Sequence, residues 1–254
     1  MNTIIEDNAT TLDQAAQQAT AIPQFAPDAF DVSEAYLIQA RSIEKRIERG
    51  EKLTGIKMGF TSRAKMEQMG VHDLIWGRLT DAMKIPDAGE VNFSKFVHPR
   101  CEPEICFLLK KELAGNVSRD QAFDAVESIA PAIEIIDSRF QDFKFSLPDV
   151  IADNASSSGY CIGDWQEPTL PIQNLGMILS INGNPIRHGS SAAILGDPIE
   201  SLIHAARLSH AAGVQLGKGS VVMAGAATAA EFMKPGDHVR ADVQSLGSVE
   251  FTIE

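Results

Sequence analysis

The sequence predicts an α+β protein in which a helical N-terminal part precedes a long mixed β body. The first fifty residues carry the apolar spacing and the caps of helices. From residue 85 onward strand and turn signals predominate, with helical interruptions at about 118–128 and 198–213. A chain of 254 residues can bury a substantial core.

The N-terminal part is predicted to contain two long helices. Residues 11–21 are rich in Ala and Gln, and Pro23 and Pro27 break the chain after them. Asp31 is expected to cap a second helix, which Gly50 ends.

A strand is predicted over 53–60, and it carries Lys57 between two apolar neighbours. A lysine in a desolvated site can have a lowered pKa or can hold an anionic substrate. The alternative is a lysine that simply reaches solvent from its strand. After the strand, Ser62 is expected to cap a short helix that ends at Gly70.

Two hairpins are predicted in the β body. Asn182-Gly183-Asn184 is expected to join strands at 177–181 and 185–188. A closing hairpin is expected from strands at 238–243 and 248–253.

Composition and charge exclude several classes of protein. The net charge of −12 argues against a nucleic-acid partner, which would require clustered Lys and Arg. No stretch approaches the roughly 20 apolar residues of a membrane span. The N-terminus resembles no secretory signal, and the three cysteines fit free thiols, so we expect a cytoplasmic protein.

Three glutamates form the main candidate site. Glu102 and Glu104 are two residues apart, so on a strand both point to the same face. Glu134 lies within an apolar run, where an unpaired carboxylate would cost several kcal/mol. Carboxylates suit a hard divalent cation such as Mg²⁺ or Mn²⁺. The alternative is a solvated Glu-x-Glu face with no ion.

Two loops of small residues are further candidates. Residues 149–159, which include Ser156 and Ser157, are predicted to form a polar loop suited to binding a carboxylate substrate. Residues 224–230, with Thr228, could let the backbone approach a ligand. A structural role is expected for His98, and a nicotinamide cofactor is not expected because the Gly-x-Gly-x-x-Gly pattern is missing.

Taken together, these segments resemble the 2-keto-4-pentenoate hydratase/4-oxalocrotonate decarboxylase family of the fumarylacetoacetate hydrolase superfamily. The resemblance covers about residues 53–251. Its motifs are 57–62 (KMGFTS), 65–71 (KMEQMGV), 98–104 (HPRCEPE), 134–139 (EIIDSR), 142–145 (DFKF), 150–157 (VIADNASS), 228–230 (TAA) and 246–249 (LGSV).

The resemblance implies a fumarylacetoacetate hydrolase-like mixed β-roll or barrel. The catalytic domain would be 85–254, after a mainly helical region at 1–84 that includes the strand of Lys57. It further implies a Mg²⁺- or Mn²⁺-dependent enzyme of meta-cleavage pathways for aromatic compounds. The expected site comprises Glu102, Glu104 and Glu134 as metal ligands, Lys57 as the active-site lysine, and Asp73, Ser156, Ser157 and Thr228 near the substrate.

Within the family, residues 143–148 and 225–230 resemble decarboxylases more than hydratases. The expected reaction is conversion of 2-oxo-3-hexenedioate (4-oxalocrotonate) to 2-hydroxypenta-2,4-dienoate and CO₂. Lys57 would hold the substrate carboxylate or assist proton transfer. The alternatives are the hydratase itself and a non-catalytic partner subunit. The resemblance also implies a homo-oligomer and a complex with the pathway hydratase. Trp76 and Ala226-Ala227 depart from the family pattern and are expected at the pocket.

Overall fold

The structure is a computed structural model, and it describes residues 3–62, 73–169 and 171–254. The helix expected between Ser62 and Gly70, and the motif at 65–71, lie largely or wholly outside these ranges.

Two helices form the N-terminal part, α1 (Thr3–Gln18) and α2 (Val32–Glu48). The first begins eight residues before its predicted start, because the buried face of Ala9 and Leu12 continues the helical period backwards. The second begins where predicted. The Asp31 carboxylate accepts a hydrogen bond from the Glu34 amide, and the Glu34 carboxylate accepts one from the Asp31 amide.

Thirteen strands are present in the described part of the chain. They are β1 (Leu53–Gly59), β2 (Ile75–Thr80), β3 (Lys84–Ile85), β4 (Gly89–Val91), β5 (Arg100–Leu109), β6 (Val126–Ile136), β7 (Ser157–Ile162), β8 (Gly176–Ile181), β9 (Asn184–Ser190), β10 (Val221–Met223), β11 (Glu231–Phe232), β12 (His238–Val243) and β13 (Gly247–Ile253).

The strands form two sheets. The larger has the order β2-β1-β10-β5-β6-β7-β3, and β11 pairs with β5. The smaller has the order β4-β13-β12-β8-β9 and contains both predicted hairpins. Apolar residues of β6, β12 and β13 pack the sheets together, among them Ile133, Val239 and Phe251. β1 and β2 precede residue 84, yet they belong to the same sheet as β5, β6 and β7. The predicted domain boundary at residue 84 stays a prediction.

Three further helices interrupt the β body, α3 (Arg119–Asp124), α4 (Leu147–Ala152) and α5 (Pro198–Ala211). The polar loop predicted over 149–159 is wrong in its first part, which is α4, and in its last part, which is β7. Ser146 caps α4 in a capping box with Asp149, and Pro148 lies in the first turn. No helix among the described residues is long and apolar enough to cross a membrane.

Candidate active site

The pairing of β5 with β6 brings three glutamates together. Glu102 lies directly opposite Glu134 in the antiparallel register, and Glu104 lies two residues further along the same face of β5. One carboxylate oxygen from each residue lies within 4.8 Å of the other two. Glu104 and Glu134 are fully buried and Glu102 is 6% exposed. The solvated Glu-x-Glu face, the alternative left open by the sequence, is therefore excluded.

Lys57 reaches this cluster because β10 lies between β1 and β5. Lys57 is opposite Met223 of β10, which is in turn opposite Cys106 of β5. The Lys57 Nζ lies 3.0 Å from Glu134 Oε2 and donates to the Ala155 carbonyl at 3.1 Å. Its side chain is almost completely buried, so it is not a lysine that reaches solvent from a strand.

The Ala155 carbonyl is aimed at Lys57 by three successive residues in the left-handed region. Asn154, Ala155 and Ser156 have φ values of 52°, 51° and 59°. This conformation costs non-glycine residues roughly 1–2 kcal/mol each. The Asn154 side chain holds the turn, since it accepts from the Arg78 amide at 2.7 Å and donates to the Arg78 carbonyl at 2.9 Å. Such strain is typical of functional sites.

Gly225 fixes the second glutamate of β5. Its amide donates to Glu104 Oε2 at 2.8 Å, and its φ of +108° lies in the region that favours glycine. A Cβ at this position would lie 2.2 Å from Thr61 Oγ1, so no larger residue fits without movement.

The electrostatics of the cluster favour a bound cation. Burial raises the pKa of Glu134 to about 7, with Lys57 opposing and Glu102 reinforcing the shift. Burial and then the charges of Glu134 and Glu102 raise the pKa of Glu104 well above its usual range. Burial acts to lower the pKa of Lys57, but the glutamates, Glu134 foremost, outweigh it and raise that pKa.

Three carboxylates share one lysine, and several of their oxygens have no other partner. Glu102 Oε2, Glu104 Oε1 and Glu134 Oε1 are buried without a hydrogen bond from any described residue. Orphaned anionic oxygens inside a protein are costly unless a cation meets them. An all-oxygen donor set of this kind fits a hard divalent ion such as Mg²⁺ or Mn²⁺.

The two serines predicted near the substrate lie beside the cluster. Ser156 is buried, and its hydroxyl has no hydrogen-bond partner within the described ranges. Ser157 begins β7, and its hydroxyl acts to lower the pKa of Glu134. Both placements are compatible with substrate contact, which stays a prediction.

Thr228 and Asp73 are placed differently. Thr228 is half-buried and donates to the Ala229 carbonyl at 3.1 Å, in a loop that the Ala227 amide ties to the Pro103 carbonyl of β5 at 3.0 Å. Asp73 lies just before β2 and pairs with Arg207 of α5 at 2.7 Å. Its side chain is 52% exposed, and its described contacts do not include the three glutamates. A substrate role for either stays a prediction.

Trp76 was expected at the pocket, but its ring lies on the other side of β2. It is opposite Met58 in the register, whereas the next residue, Gly77, is opposite Lys57. The buried Trp76 ring stacks on Tyr36 at 5.6 Å and therefore belongs to the core.

Arg100 lies on the strand that carries Glu102 and Glu104, and the sequence predicted no role for it. Its guanidinium carbon lies 4.0 Å from the ring centroids of both Phe143 and Phe232. The His98 ring packs on Phe143 at 5.1 Å, and its Nε2 is buried without a partner in the described structure. The spacing of Arg100 two residues before Glu102 was the available signal, because it places both on one strand face.

Comparison with known proteins matches residues 58–254 to the family model described as fumarylacetoacetate (FAA) hydrolase C-terminal. The chain belongs to the fumarylacetoacetate hydrolase family. It is 56% identical to a 4-oxalocrotonate decarboxylase of Pseudomonas sp. over 96% of both chains. It is 33% identical to a 2-keto-4-pentenoate hydratase of Paraburkholderia xenovorans (strain LB400), over 98% of this chain and 94% of the relative.

A solved structure gives the same assignment. The 4-oxalocrotonate decarboxylase from Pseudomonas putida G7, complexed with magnesium and adipate, superposes with a TM-score of 0.96 at 34% identity. The match covers 100% of this chain and 98% of the other. The predicted family and the predicted fold class are thereby confirmed.

Proposed function

We propose that this chain is a divalent-metal-dependent decarboxylase that converts 2-oxo-3-hexenedioate to 2-hydroxypenta-2,4-dienoate and CO₂. The observation that carries the proposal is the buried cluster of Glu102, Glu104 and Glu134, which contains unpartnered oxygens of all three residues and contacts Lys57 through Glu134. Relatives and structural neighbours named 4-oxalocrotonate decarboxylase support the same reaction.

The three glutamates would hold Mg²⁺ or Mn²⁺ at the 1-carboxylate end of the substrate. A bound ion of this kind supplies a Lewis acid that stabilises negative charge on an oxygen of a 2-oxo acid. The chain itself fixes the donors in advance. Gly225 orients Glu104, Lys57 orients Glu134, and β-sheet pairing holds Glu102 opposite Glu134.

Lys57 would supply a hydrogen-bond donor to the substrate. Its ammonium group has three N–H donors, and two of them face the Ala155 carbonyl and Glu134. Among the described residues the third N–H has no acceptor, and it would meet an oxygen of the 2-oxo acid. Lys57 would therefore place a positive charge next to the oxygen on which negative charge develops during the reaction.

In the reaction, the bond between C5 and the distal carboxylate carbon breaks, and that carboxylate leaves as CO₂. The electron pair that remains delocalises through the C3–C4 double bond to the 2-oxo oxygen. One proton, supplied in the end by the solvent, is then added to that oxygen and gives the dienol product, so atoms and charge balance. Burial of the site excludes water, which strengthens each electrostatic contact.

The second candidate is the hydratase reaction on 2-hydroxypenta-2,4-dienoate. Relatives named 2-keto-4-pentenoate hydratase, which are 33% identical over 98% of the chain, support this candidate. A non-catalytic partner subunit is the third candidate, and a complex with the pathway hydratase remains part of the proposal. Because the lysine and all three glutamates are present and converge, the catalytic assignment is preferred.

The test uses the purified chain with Mg²⁺ and 2-oxo-3-hexenedioate, with CO₂ release as the measurement. We expect Glu104→Gln and Glu134→Gln each to lower kcat/KM by at least about 100-fold, because each removes charge from the ion site. The matched control is Glu127→Gln, an exposed glutamate on the same strand as Glu134, which should retain wild-type activity.

Two outcomes would contradict the proposal. Activity that survives in Glu134→Gln would show that the glutamate cluster is not the catalytic centre. Rapid loss of 2-hydroxypenta-2,4-dienoate without CO₂ from the hexenedioate would assign the chain to the hydratases instead.

A further inference from the structure

An arginine, Arg100, lies on the same strand face as the glutamates of β5. Arg100 is the first residue of β5, and Arg100, Glu102 and Glu104 alternate along it, so all three side chains leave the same face. The Cα atoms of Arg100 and Glu102 are about 7 Å apart at the rise of a β-strand. The face therefore has anionic groups at one end and a guanidinium at the other.

Two aromatic rings hold this guanidinium. Phe232 of β11 is directly opposite Arg100 in the strand pairing, and Phe143 lies in the turn after β6. Both ring centroids are 4.0 Å from the guanidinium carbon. Stacking against both planar faces leaves only the N–H groups at the edge to make hydrogen bonds.

The backbone around Phe143 is strained in order to place its ring. Phe143 has a φ of 56°, and Asp142 before it has a φ of 58°. Left-handed non-glycine residues of this kind cost roughly 1–3 kcal/mol each and cluster at functional sites.

Arg100 has no acidic partner in the described part of the chain. Its Nε is buried without a hydrogen bond, and no carboxylate within the described ranges lies at ion-pair distance. Burial lowers its pKa, while Glu231 and Glu102 act to raise it. An arginine planar fork normally binds a carboxylate, and here that carboxylate is missing from the chain itself.

We propose that Arg100, clamped between Phe143 and Phe232, binds the distal carboxylate of the six-carbon substrate and so selects dicarboxylates. The inference rests on the proposed function for the position of the other carboxylate. A zigzag chain of five C–C bonds, each roughly 1.5 Å long, spans about 6 Å from end to end. This length suits a substrate that runs from the glutamate cluster towards Arg100.

A cation at this end has a defined kinetic effect. The distal carboxylate loses its charge as it leaves as CO₂, so an ion pair with it is stronger in the ground state than in the transition state. Such binding lowers KM without raising kcat. Arg100 is therefore a residue for binding and specificity rather than for the bond-breaking step.

The test compares two unreactive ligands of Mg²⁺-loaded protein, 2-oxoadipate and 2-oxohexanoate, which differ only in the distal carboxylate. Calorimetry should show that wild-type protein binds 2-oxoadipate more tightly. Arg100→Gln should weaken 2-oxoadipate binding by roughly 10- to 100-fold, as expected for a charged hydrogen bond, and leave 2-oxohexanoate binding within about twofold.

A milder variant guards against misfolding. Phe232→Leu removes one ring from a side chain that is 55% exposed, and it should weaken 2-oxoadipate binding alone by a few-fold. The control is Arg119→Gln, whose arginine lies on α3 and pairs with Asp197, and its affinities should match wild type.

Equal weakening of both ligands by Arg100→Gln would overturn the inference, because it would indicate a structural role. Unchanged binding of both would overturn it as well. Neither measurement requires turnover, so a wild-type protein that discriminates between the ligands but releases no CO₂ would contradict the proposed function and not this inference.

Discussion

Several ionisable side chains of this protein are buried, although burial of an ionisable group opposes folding. Glu104 and Glu134 are fully buried, and their pKa values are raised because burial and neighbouring charge disfavour the ionised form. Lys57 offsets part of that cost through its contact with Glu134. What holds these groups in place is largely backbone, since an amide orients Glu104 and a carbonyl orients Lys57.

Gly225→Ala tests the backbone contribution. The new Cβ would lie 2.2 Å from Thr61 Oγ1, and a φ of +108° is strained for alanine, so the Gly225 amide should move away from Glu104. We expect stability to fall by about 1–3 kcal/mol and Mg²⁺ affinity to fall by about tenfold or more. Chemical denaturation and calorimetry measure the two effects.

Gly217→Ala is the matched control for this substitution. A Cβ there would meet no atom within 4 Å, and the backbone is outside the left-handed region. Stability should be unchanged or slightly higher, because alanine restricts the unfolded chain. A Gly225→Ala protein that kept wild-type Mg²⁺ affinity would show that this amide does not position Glu104.

Part of the site could be predicted at this scale and part could not. The two-residue spacing of Glu102 and Glu104 was enough to place both on one face, because strand geometry alternates strictly. The Ala155 carbonyl could not be predicted. Three successive left-handed residues without glycine are locally unfavourable, and they are held by contacts distant in sequence, such as the bonds of Asn154 to Arg78 and of the Ser156 carbonyl to the Asp137 amide.

At the scale of elements, local signals gave accurate boundaries where a cap was present. Asp31 marked the start of α2 correctly, and Asn182-Gly183 marked a hairpin. The cap of α4 at Ser146 was overlooked among apolar and aromatic neighbours. The place of β10 between β1 and β5 had no local signal, because the pairing joins residues far apart in the sequence.

Asp31→Ala should destabilise the protein without changing its chemistry. The variant loses the side-chain acceptor for the Glu34 amide, which is worth about 1 kcal/mol at an N-cap. Thermal denaturation should show the loss, while kcat for CO₂ release stays at the wild-type value because α2 contributes none of the three glutamates.

Glu112→Ala is the control for the cap, since this exposed glutamate makes no hydrogen bond or ion pair in the described structure. Its stability should equal wild type. If Asp31→Ala also left the melting temperature unchanged, the capping box would have no energetic role.

At the scale of the whole molecule, the site imposes a stability cost that a ligand can relieve. Three carboxyl groups are enclosed on the face of the larger sheet opposite the one that packs against the smaller sheet, where burial keeps water away from them. A ligand that binds only the folded state at a hundred times its Kd adds about 2.7 kcal/mol of stability.

At pH 8, Glu104→Gln separates the stability cost of the buried glutamates from the stabilisation that a bound metal ion provides. Without metal, the variant should be at least as stable as wild type, because it removes a buried carboxyl group that is costly to ionise and keeps an acceptor for the Gly225 amide. Mg²⁺ should raise the melting temperature of wild type and leave that of the variant nearly constant. A metal-free variant much less stable than wild type would show that the glutamate stabilises the fold by itself.

The position of β10 has a consequence for how the protein is made. Residues 221–223 are the only described link that sets the Lys57 strand beside the Glu104 strand, and they come late in the chain. During synthesis, β5 and β6 can pair long before then, but the lysine has no place beside them until this short strand has emerged. The nascent chain thus carries all three glutamates without Lys57 held beside them while residues 135–220 are added, and the candidate active site is completed late in folding.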